Sequence, residues 1–125
     1  MKGNPVAWFE IYVQDIGRAK RFYEAVFQVA LQQLKAPVPG MELWAFPADM
    51  KSYGTAGALV RMDGIPSGGT STLVYFHCED CAVAEGRVTA AGGQVHRPKT
   101  SIGEYGYIAL VVDTEGNRIG LHSMQ

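Results

Sequence analysis

The feature that most constrains this chain is an internal repeat. Residues 8–15 (WFEIYVQD) align with residues 73–80 (LVYFHCED) at an offset of 65 positions. Each copy has the alternation of a β-strand, in which successive side chains point to opposite faces, and each ends in an acidic residue. A repeat of this length indicates that two copies of one supersecondary unit build the fold together.

The residues that follow each strand have helical spacing, with apolar positions three and four apart. This stripe consists of Ile16, Ala19, Phe22, Tyr23, Val26 and Phe27 in the first copy and of Ala84, Val88 and Ala91 in the second. Asp15 and Asp80 occupy the positions of helix N-caps, and Gly-Gly at 92–93 is suited to end the second helix. We expect both stripes to pack in the core.

Further strands follow each predicted helix, separated by Gly and Pro. They are expected at residues 29–34, 42–46, 56–62, 94–96, 105–113 and 118–124. A turn at residues 113–117 predicts a hairpin between the last two strands. Each half is then βαβββ and too small to bury its sheet alone. We therefore expect a single domain over residues 1–125, with modules 5–63 and 71–124 joined by a Gly/Pro/Ser linker, 63–70.

The composition limits which class of protein this chain can form and which kinds of partner it can bind. The chain has 125 residues, 47% of them apolar, which fits one folded domain. Lys plus Arg number 11 against 12 for Asp plus Glu, so no basic stripe is available for nucleic acid. The longest apolar stretch, residues 107–112, is far shorter than the ~20 residues of a membrane span. With two cysteines and no signal-peptide pattern, we expect a cytoplasmic protein without nucleic-acid or membrane partners.

Three segments carry a resemblance to a known family. They are residues 13–23 (VQDIGRAKRFY), the helix end 90–93 (AAGG) and residues 113–122 (DTEGNRIGLH). The chain resembles the vicinal oxygen chelate superfamily, which includes glyoxalase I, bleomycin-resistance proteins and extradiol dioxygenases. The resemblance covers about residues 5–123. It implies an α+β fold in which two tandem βαβββ modules form a curved sheet around a cavity, with helices on the outer face, and it implies a homodimer.

The resemblance also implies where a metal would bind. Catalytic relatives place one His, Gln or Glu ligand on the first and last strand of each module. The corresponding positions here are Trp8, Leu73, Gly120 and, approximately, Ala58. None of these side chains binds a metal ion, so we expect a glyoxalase-like protein without this metal site, with no cofactor and with a divalent metal disfavoured.

Period-two alternation selects the ligand-binding candidates. Phe9 and Ile11 suit packing under a helix, so the residues between and beside them face the cavity. The same alternation places Tyr75, His77 and His122 of the second module toward the cavity. Trp44 and Tyr105 are further candidates for the wall of the cavity. The predicted ligand-binding residues are Trp8, Glu10, Tyr12, Trp44, Tyr75, His77, Tyr105 and His122.

Three alternatives remain open for the chemistry. Glu10, His77 and His122 could form a displaced metal site, although Glu10 and His77 are out of step by about 6.6 Å along their strands. Glu10 could be a general base if burial raises its pKa, or it could be a structural group bonded by Tyr12, Tyr75 or an arginine. Glu10→Gln should leave the fold intact and alter ligand affinity.

Two other segments contain residues that are relevant to function. Cys78 and Cys81 form a C-x-x-C pair, but no second pair completes a zinc site and the repeat is not a thioredoxin context. We expect two incidental buried thiols, with a redox role as the alternative. Residues 99–104 form a polar stretch before an aromatic strand, and we expect a loop that covers the cavity.

The sequence thus predicts a protein that binds a small, partly aromatic or amphipathic molecule in a metal-free cavity, as antibiotic-sequestering relatives do. Aromatic residues would stack on the ligand, and Glu10, His77 and His122 would recognise its polar groups. The alternative is a lyase or isomerase of the glyoxalase type that uses a displaced metal, or Glu10 as base. A protein-interaction module is a third interpretation, and it would expose a large apolar patch.

Overall fold

The computed structural model describes residues 3–69 and 71–125. The last residue of the predicted linker, Thr70, and the first two residues of the predicted domain lie outside the described residues. The chain divides into two compact units, each described by itself below. The N-terminal unit comprises residues 8–72, and the C-terminal unit comprises residues 73–125 with residues 3–7.

The N-terminal unit has the order βαβββ. Its elements are β1 (Val6–Tyr12), α1 (Ile16–Phe27), β2 (Gln32–Leu34), β3 (Met41–Ala45) and β4 (Ala56–Met62). The strand order is β2-β3-β4-β1. β1 runs parallel to β4, and β3 is antiparallel to β2 and β4. Asp15 caps α1, as predicted, by accepting a hydrogen bond from Arg18 N at 3.0 Å.

The C-terminal unit repeats this order. Its elements are β5 (Thr72–His77), α2 (Cys81–Glu85), β6 (Gln94–Ser101), a 3₁₀ turn (Gly103–Tyr105), β7 (Tyr107–Val112) and β8 (Arg118–Ser123). The strand order is β5-β8-β7-β6, with β5 parallel to β8 and the other pairs antiparallel. The predicted α+β class and the two βαβββ arrangements are confirmed. None of the described helices is long and apolar enough to span a membrane.

The apolar stripe of α1 is not buried, which corrects the expectation from its periodicity. No residue of α1 is buried, and Phe22, Val26 and Phe27 are 59%, 55% and 60% exposed. The helix meets the sheet through Tyr23, whose ring lies edge-on to Phe46 with centroids 5.6 Å apart. Phe22 and Phe27 pack on the ring of Tyr23 instead of on the sheet, so much of the stripe stays in solvent.

The second helix is shorter than predicted. α2 ends at Glu85, and Gly86 forms its C-cap. Glycine is the weakest helix former after proline, which explains the early end. Hydrogen-bonded turns continue from there to the Gly-Gly pair, where Gly93 N donates to Val88 O and Gly92 adopts a φ of 100°. The Gly-Gly pair therefore ends the turns rather than the helix.

β6 is longer than predicted because it contains residues that the sequence marks as breakers. The strand continues through Pro98 to Ser101, with register shifts between Val95 and Arg97 and between Arg97 and Thr100. Proline is tolerated there because β6 is the edge strand of its sheet order. The first half of the predicted covering loop, residues 99–104, is therefore strand, and its second half contains the 3₁₀ turn.

Candidate functional site

A buried carboxylate lies on β1, on the face of the sheet away from α1. Trp8 Nε1 donates to Glu10 Oε2 at 3.1 Å, and the Tyr12 hydroxyl donates to Glu10 Oε1 at 2.8 Å. Glu10 is 8% exposed and Tyr12 is 5% exposed. The expected bond from Tyr12 is confirmed, and Trp8 is a second donor that the sequence did not indicate. Two donors from the same strand hold both carboxylate oxygens in place.

The neighbours of Glu10 across the sheet are small. Glu10 pairs with Ala58 on β4, which in turn pairs with Ala45 on β3. Paired residues share a face, so this part of the N-terminal unit has one acidic side chain beside two methyl groups. Ala58, the approximate position of a metal ligand in relatives, is fully buried.

Trp44 does not belong to this face, and its predicted place in the cavity wall is wrong. It pairs with Leu59, which is one residue out of phase with Ala58. Its indole N–H donates to Glu42 Oε2 at 2.8 Å, and Lys20 Nζ of α1 lies 3.6 Å from the centre of its ring. A shift of one residue moves a side chain to the opposite face, and Trp44 therefore lies on the helix side.

The corresponding face of the C-terminal unit carries Tyr75, another of the aromatic residues predicted to bind the ligand. Tyr75 on β5 pairs with Gly120 on β8, which pairs with Leu110 on β7. A Cβ atom at Gly120 would overlap the Tyr75 ring, because the ring lies directly over this glycine. Tyr75 is 7% exposed. The aromatic ring thus occupies the space in which a side chain at position 120 would begin.

Two histidines form the next row of this face. His77 on β5 pairs with His122 on β8, which pairs with Ile108 on β7. His122 Nε2 lies 2.6 Å from the carbonyl oxygen of Tyr105. Since a carbonyl only accepts hydrogen bonds, His122 carries a proton on Nε2. Tyr105, in the 3₁₀ turn, contributes its backbone here, and His77 is exposed.

Two arginines on this face were missed by the sequence reasoning. Arg118 pairs with Val112, and Arg97 pairs with Leu110. Arg118 could have been found, because it is two residues before Gly120 and keeps the same phase. Arg97 could not, because the register shifts in β6 break the alternation that would place it.

The residues at the family's ligand positions do not fit a metal ion. Trp8 uses its indole N–H for Glu10, and no side chain can begin at Gly120 without displacing Tyr75. Among residues 3–69 and 71–125, no three His, Cys, Asp or Glu side chains are grouped so that they could hold a metal. The alternative set of Glu10, His77 and His122 therefore finds no support in the geometry.

The two cysteines lie in different environments. Cys81 is fully buried, and its backbone N–H donates to Ser123 Oγ at 2.9 Å. Cys78 is half-buried, and this burial raises the pKa of its thiol. A raised pKa keeps the thiol protonated near neutral pH, which disfavours a role as nucleophile or redox thiolate.

Lys99 lies on the helix side of β6 and binds the start of α2. Its Nζ donates to Asp80 Oδ1 at 2.9 Å and lies 4.7 Å from the centre of the Tyr107 ring. This hydrogen bond lowers the pKa of Asp80 and raises the pKa of Lys99. Its backbone N–H donates to Glu85 at 2.7 Å. These bonds attach the segment to α2, so the prediction of a covering loop is wrong for Lys99.

A shallow pocket lies elsewhere, at the start of α1. Its volume is about 310 Å³, and Val13, Ala19 and Phe22 are among the residues that line it. None of the predicted ligand-binding residues lines this pocket. It continues the exposed apolar side of α1 and is distinct from the sheet faces described above.

The comparisons with known proteins identify the family. The model of the Glyoxalase/Bleomycin resistance protein/Dioxygenase superfamily matches residues 6–121. This chain belongs to that superfamily. The resemblance inferred from the three sequence segments is confirmed, and the fold of the family agrees with the two βαβββ units.

Named relatives are similar to this superfamily member at low identity. The chain is 27% identical over 121 residues to "Putative glyoxylase CFP32" of Mycobacterium bovis and Mycobacterium tuberculosis. The match covers 96% of this chain and 45% of those proteins, so the chain spans less than half the length of the curated relatives it matches.

Solved structures share the fold. Hypothetical protein BH1468 from Bacillus halodurans matches with a TM-score of 0.74 at 12% identity, over 99% of this chain and 96% of that chain. A Streptomyces coelicolor methylmalonyl-CoA epimerase variant in complex with 2-nitronate-propionyl-CoA matches with a TM-score of 0.68 at 15% identity, over 96% of each chain. At these identities the likeness establishes the fold alone.

Proposed function

We propose that this superfamily member binds a small, partly aromatic or amphipathic molecule without the metal ion of its catalytic relatives. The observation that carries the proposal is the ring of Tyr75 over Gly120. In relatives the corresponding position supplies a ligand, and a metal ion there acts as the electrophile that stabilises developing negative charge. A chain that fills this position with an aromatic ring has no room there for a side chain that would bind the metal.

The binding surface that we propose is the sheet face of the C-terminal unit opposite α2. Along β7, Ile108 and Leu110 are half-buried on this face, whereas Ala109 on the other face is fully buried under α2. His77 and His122 lie in the same row as Ile108. Apolar surface with a few polar groups is the usual composition of a small-molecule site.

Glu10 is given a structural role in this proposal. Both its oxygens accept hydrogen bonds from residues of its own strand, which favours a fixed group over a general base that must reach its substrate. Trp8 and Tyr12 stay candidate ligand contacts through their aromatic rings, and Glu10 stays one through its carboxylate. A lyase or isomerase activity is the alternative that the relatives' names suggest, and the homodimer and the cytoplasmic location stay proposals.

Two measurements test the proposal. Inductively coupled plasma mass spectrometry on untagged protein, before and after incubation with Zn, Mn, Fe and Ni, should detect no stoichiometric ion. The uncharged dye N-phenyl-1-naphthylamine should bind saturably, as measured by its fluorescence. One retained divalent ion per chain would overturn the metal-free site, and no saturable dye binding would overturn the ligand-binding surface.

A pair of variants locates the dye. Leu110→Glu places a charge on the proposed surface and should abolish binding. Val26→Glu is the matched control, because Val26 is 55% exposed on the apolar side of α1. If Val26→Glu abolishes binding and Leu110→Glu does not, the dye occupies the α1 surface and the proposed site is wrong.

A further inference from the structure

The proposed surface of the C-terminal unit has cationic side chains on both sides of its apolar row. Ile108, Leu110 and Val112 form the row along β7, and each is half-buried. Arg97 stands beside it on β6, and Arg118 stands beside it on β8. The row is thus an apolar strip between two guanidinium-bearing strands.

Neither arginine is neutralised by an acidic side chain. Arg61 pairs with Asp63 and Lys99 pairs with Asp80, and neither of these ion pairs includes Arg97 or Arg118. Lys99, in the same strand as Arg97, differs from it because it points to the helix side and forms an ion pair there with Asp80. Within the C-terminal unit, the described strand residues on the same face as Leu110 include no Asp or Glu.

Of the two acids in the turn before Arg118, Glu115 is exposed and forms no ion pair with it, and Asp113 is already engaged. Asp113, in the turn before β8, accepts hydrogen bonds from the backbone N–H groups of Glu115 and Asn117, both at 2.8 Å. It also accepts one from Asn117 Nδ2 at 2.9 Å. These hydrogen bonds lower the pKa of Asp113 and use its carboxylate to hold the turn. The positive charge of Arg118 therefore remains available to a ligand.

The positions of these groups set the shape of a ligand. Arg97 and Arg118 are in adjacent rows on either side of β7, which puts their Cα atoms roughly 12 Å apart by the usual strand spacing. His122 is four residues along β8 from Arg118, or about 13 Å. A ligand between them meets guanidinium groups at one end, apolar side chains in the middle and an imidazole at the other end.

We infer that this surface binds an amphipathic organic anion, with Arg97 and Arg118 as the residues that select its acidic group. Arginine remains charged at all accessible pH values and offers forked donors that match carboxylate, sulfonate or phosphate oxygens. The body of the ligand would lie over Ile108 and Leu110, which are half-buried. The inference rests on the proposed function, because it names the class of ligand that the same surface takes.

Two dyes that differ in charge test the inference. 8-Anilinonaphthalene-1-sulfonate is anionic, and N-phenyl-1-naphthylamine is its uncharged counterpart. The intact protein should bind the sulfonate about tenfold more tightly, a difference that corresponds to roughly one charge-assisted hydrogen bond. Arg97→Gln and Arg118→Gln should each weaken sulfonate binding several-fold and leave the uncharged dye unaffected. Arg87→Gln is the matched control, because Arg87 is an exposed arginine of the turns after α2.

The outcomes separate this inference from the proposed function. If both dyes bind equally, or if the Arg97 and Arg118 variants do not change sulfonate binding, the anion selectivity is wrong and the binding surface stands. If neither dye binds, the surface itself is wrong and the inference falls with it. Displacement of the bound sulfonate by decanoate or by decyl phosphate distinguishes the two biological head groups, and displacement by neither also overturns the inference. Thermal unfolding of each variant verifies that the fold is retained.

Discussion

Glu10 is a buried carboxyl group whose removal from water is offset by directed hydrogen bonds. A carboxyl group with 8% exposure is stable only when hydrogen-bond partners replace its water, and Trp8 and Tyr12 supply two of them. The indole N–H cannot act as an acceptor, so the pattern fits a carboxylate better than any group that carries its own N–H.

Glu10→Gln is therefore expected to retain the fold and to lower its stability. An amide cannot accept from both donors through its nitrogen, and one buried polar group would lose its partner. The expected cost is about 1–3 kcal/mol in the free energy of unfolding, measured by urea denaturation. Glu115→Gln, in an exposed turn, is the control and should be close to neutral. An unchanged stability of Glu10→Gln would contradict the structural role.

Gly120 gives a second prediction at the residue level. Because a Cβ there would overlap the ring of Tyr75, Gly120→Ala forces a shift in a close-packed contact. We expect a loss of about 1–3 kcal/mol in the free energy of unfolding. In a Tyr75→Leu background the same change should cost clearly less, since the ring is gone. Equal costs in both backgrounds would show that the two residues do not share this space.

At the level of elements, local patterns predicted the order of strands and helices but not their ends. The repeat and the Asp caps at positions 15 and 80 are properties of short segments, so the sequence contains them directly. The length of α2 depended on Gly86, and the length of β6 depended on its place at the sheet edge. An edge position is a property of the whole sheet, which periodicity does not report.

The candidate site was predicted in part for the same reason. Alternation placed Trp8, Glu10 and Tyr12 together on β1, and the register confirms that they share a face. It failed for Trp44, whose phase depends on the pairing of β3 with β4, and for Arg97, which follows a register shift. Sequence alternation is reliable within a regular strand and loses its phase at each bulge.

The exposed side of α1 leads to a prediction that separates periodicity from burial. Phe22 is 59% exposed and contacts its helical neighbour Tyr23. Phe22→Ser should change the free energy of unfolding by no more than about 0.5 kcal/mol, as is usual at surface sites. Leu59→Ala, at a fully buried position of β4, is the comparison and should cost about 2–5 kcal/mol. A loss of several kcal/mol for Phe22→Ser, measured by chemical denaturation, would show that the apolar stripe of α1 is part of the core.

At the level of the whole molecule, carboxylates at turns and helix starts couple stability to pH. The pKa values of Asp15, Asp49, Asp80 and Asp113 are all lowered, in each case chiefly by a hydrogen bond donated to the carboxylate. For Asp80 the donor is Lys99, which connects the start of α2 to β6. Protonation at low pH therefore weakens hydrogen bonds at the helix starts and turns that connect the elements of both units.

A lowered pKa in the folded state fixes the direction of the pH effect. Protonation then favours the unfolded chain, so the contribution is fully present above the ordinary aspartate value of 3.8 and is lost as pH falls through the lower value of the folded state. We expect the urea midpoint to be nearly constant from pH 7 to about 5 and to fall steeply below about 4. Asp80→Asn removes one of these carboxylates and should reduce the steepness of that fall, whereas Asp63→Asn, at an exposed pair with Arg61, serves as the control. If Asp80→Asn leaves the acid limb of the profile unchanged, the bond between Asp80 and Lys99 does not couple α2 to β6.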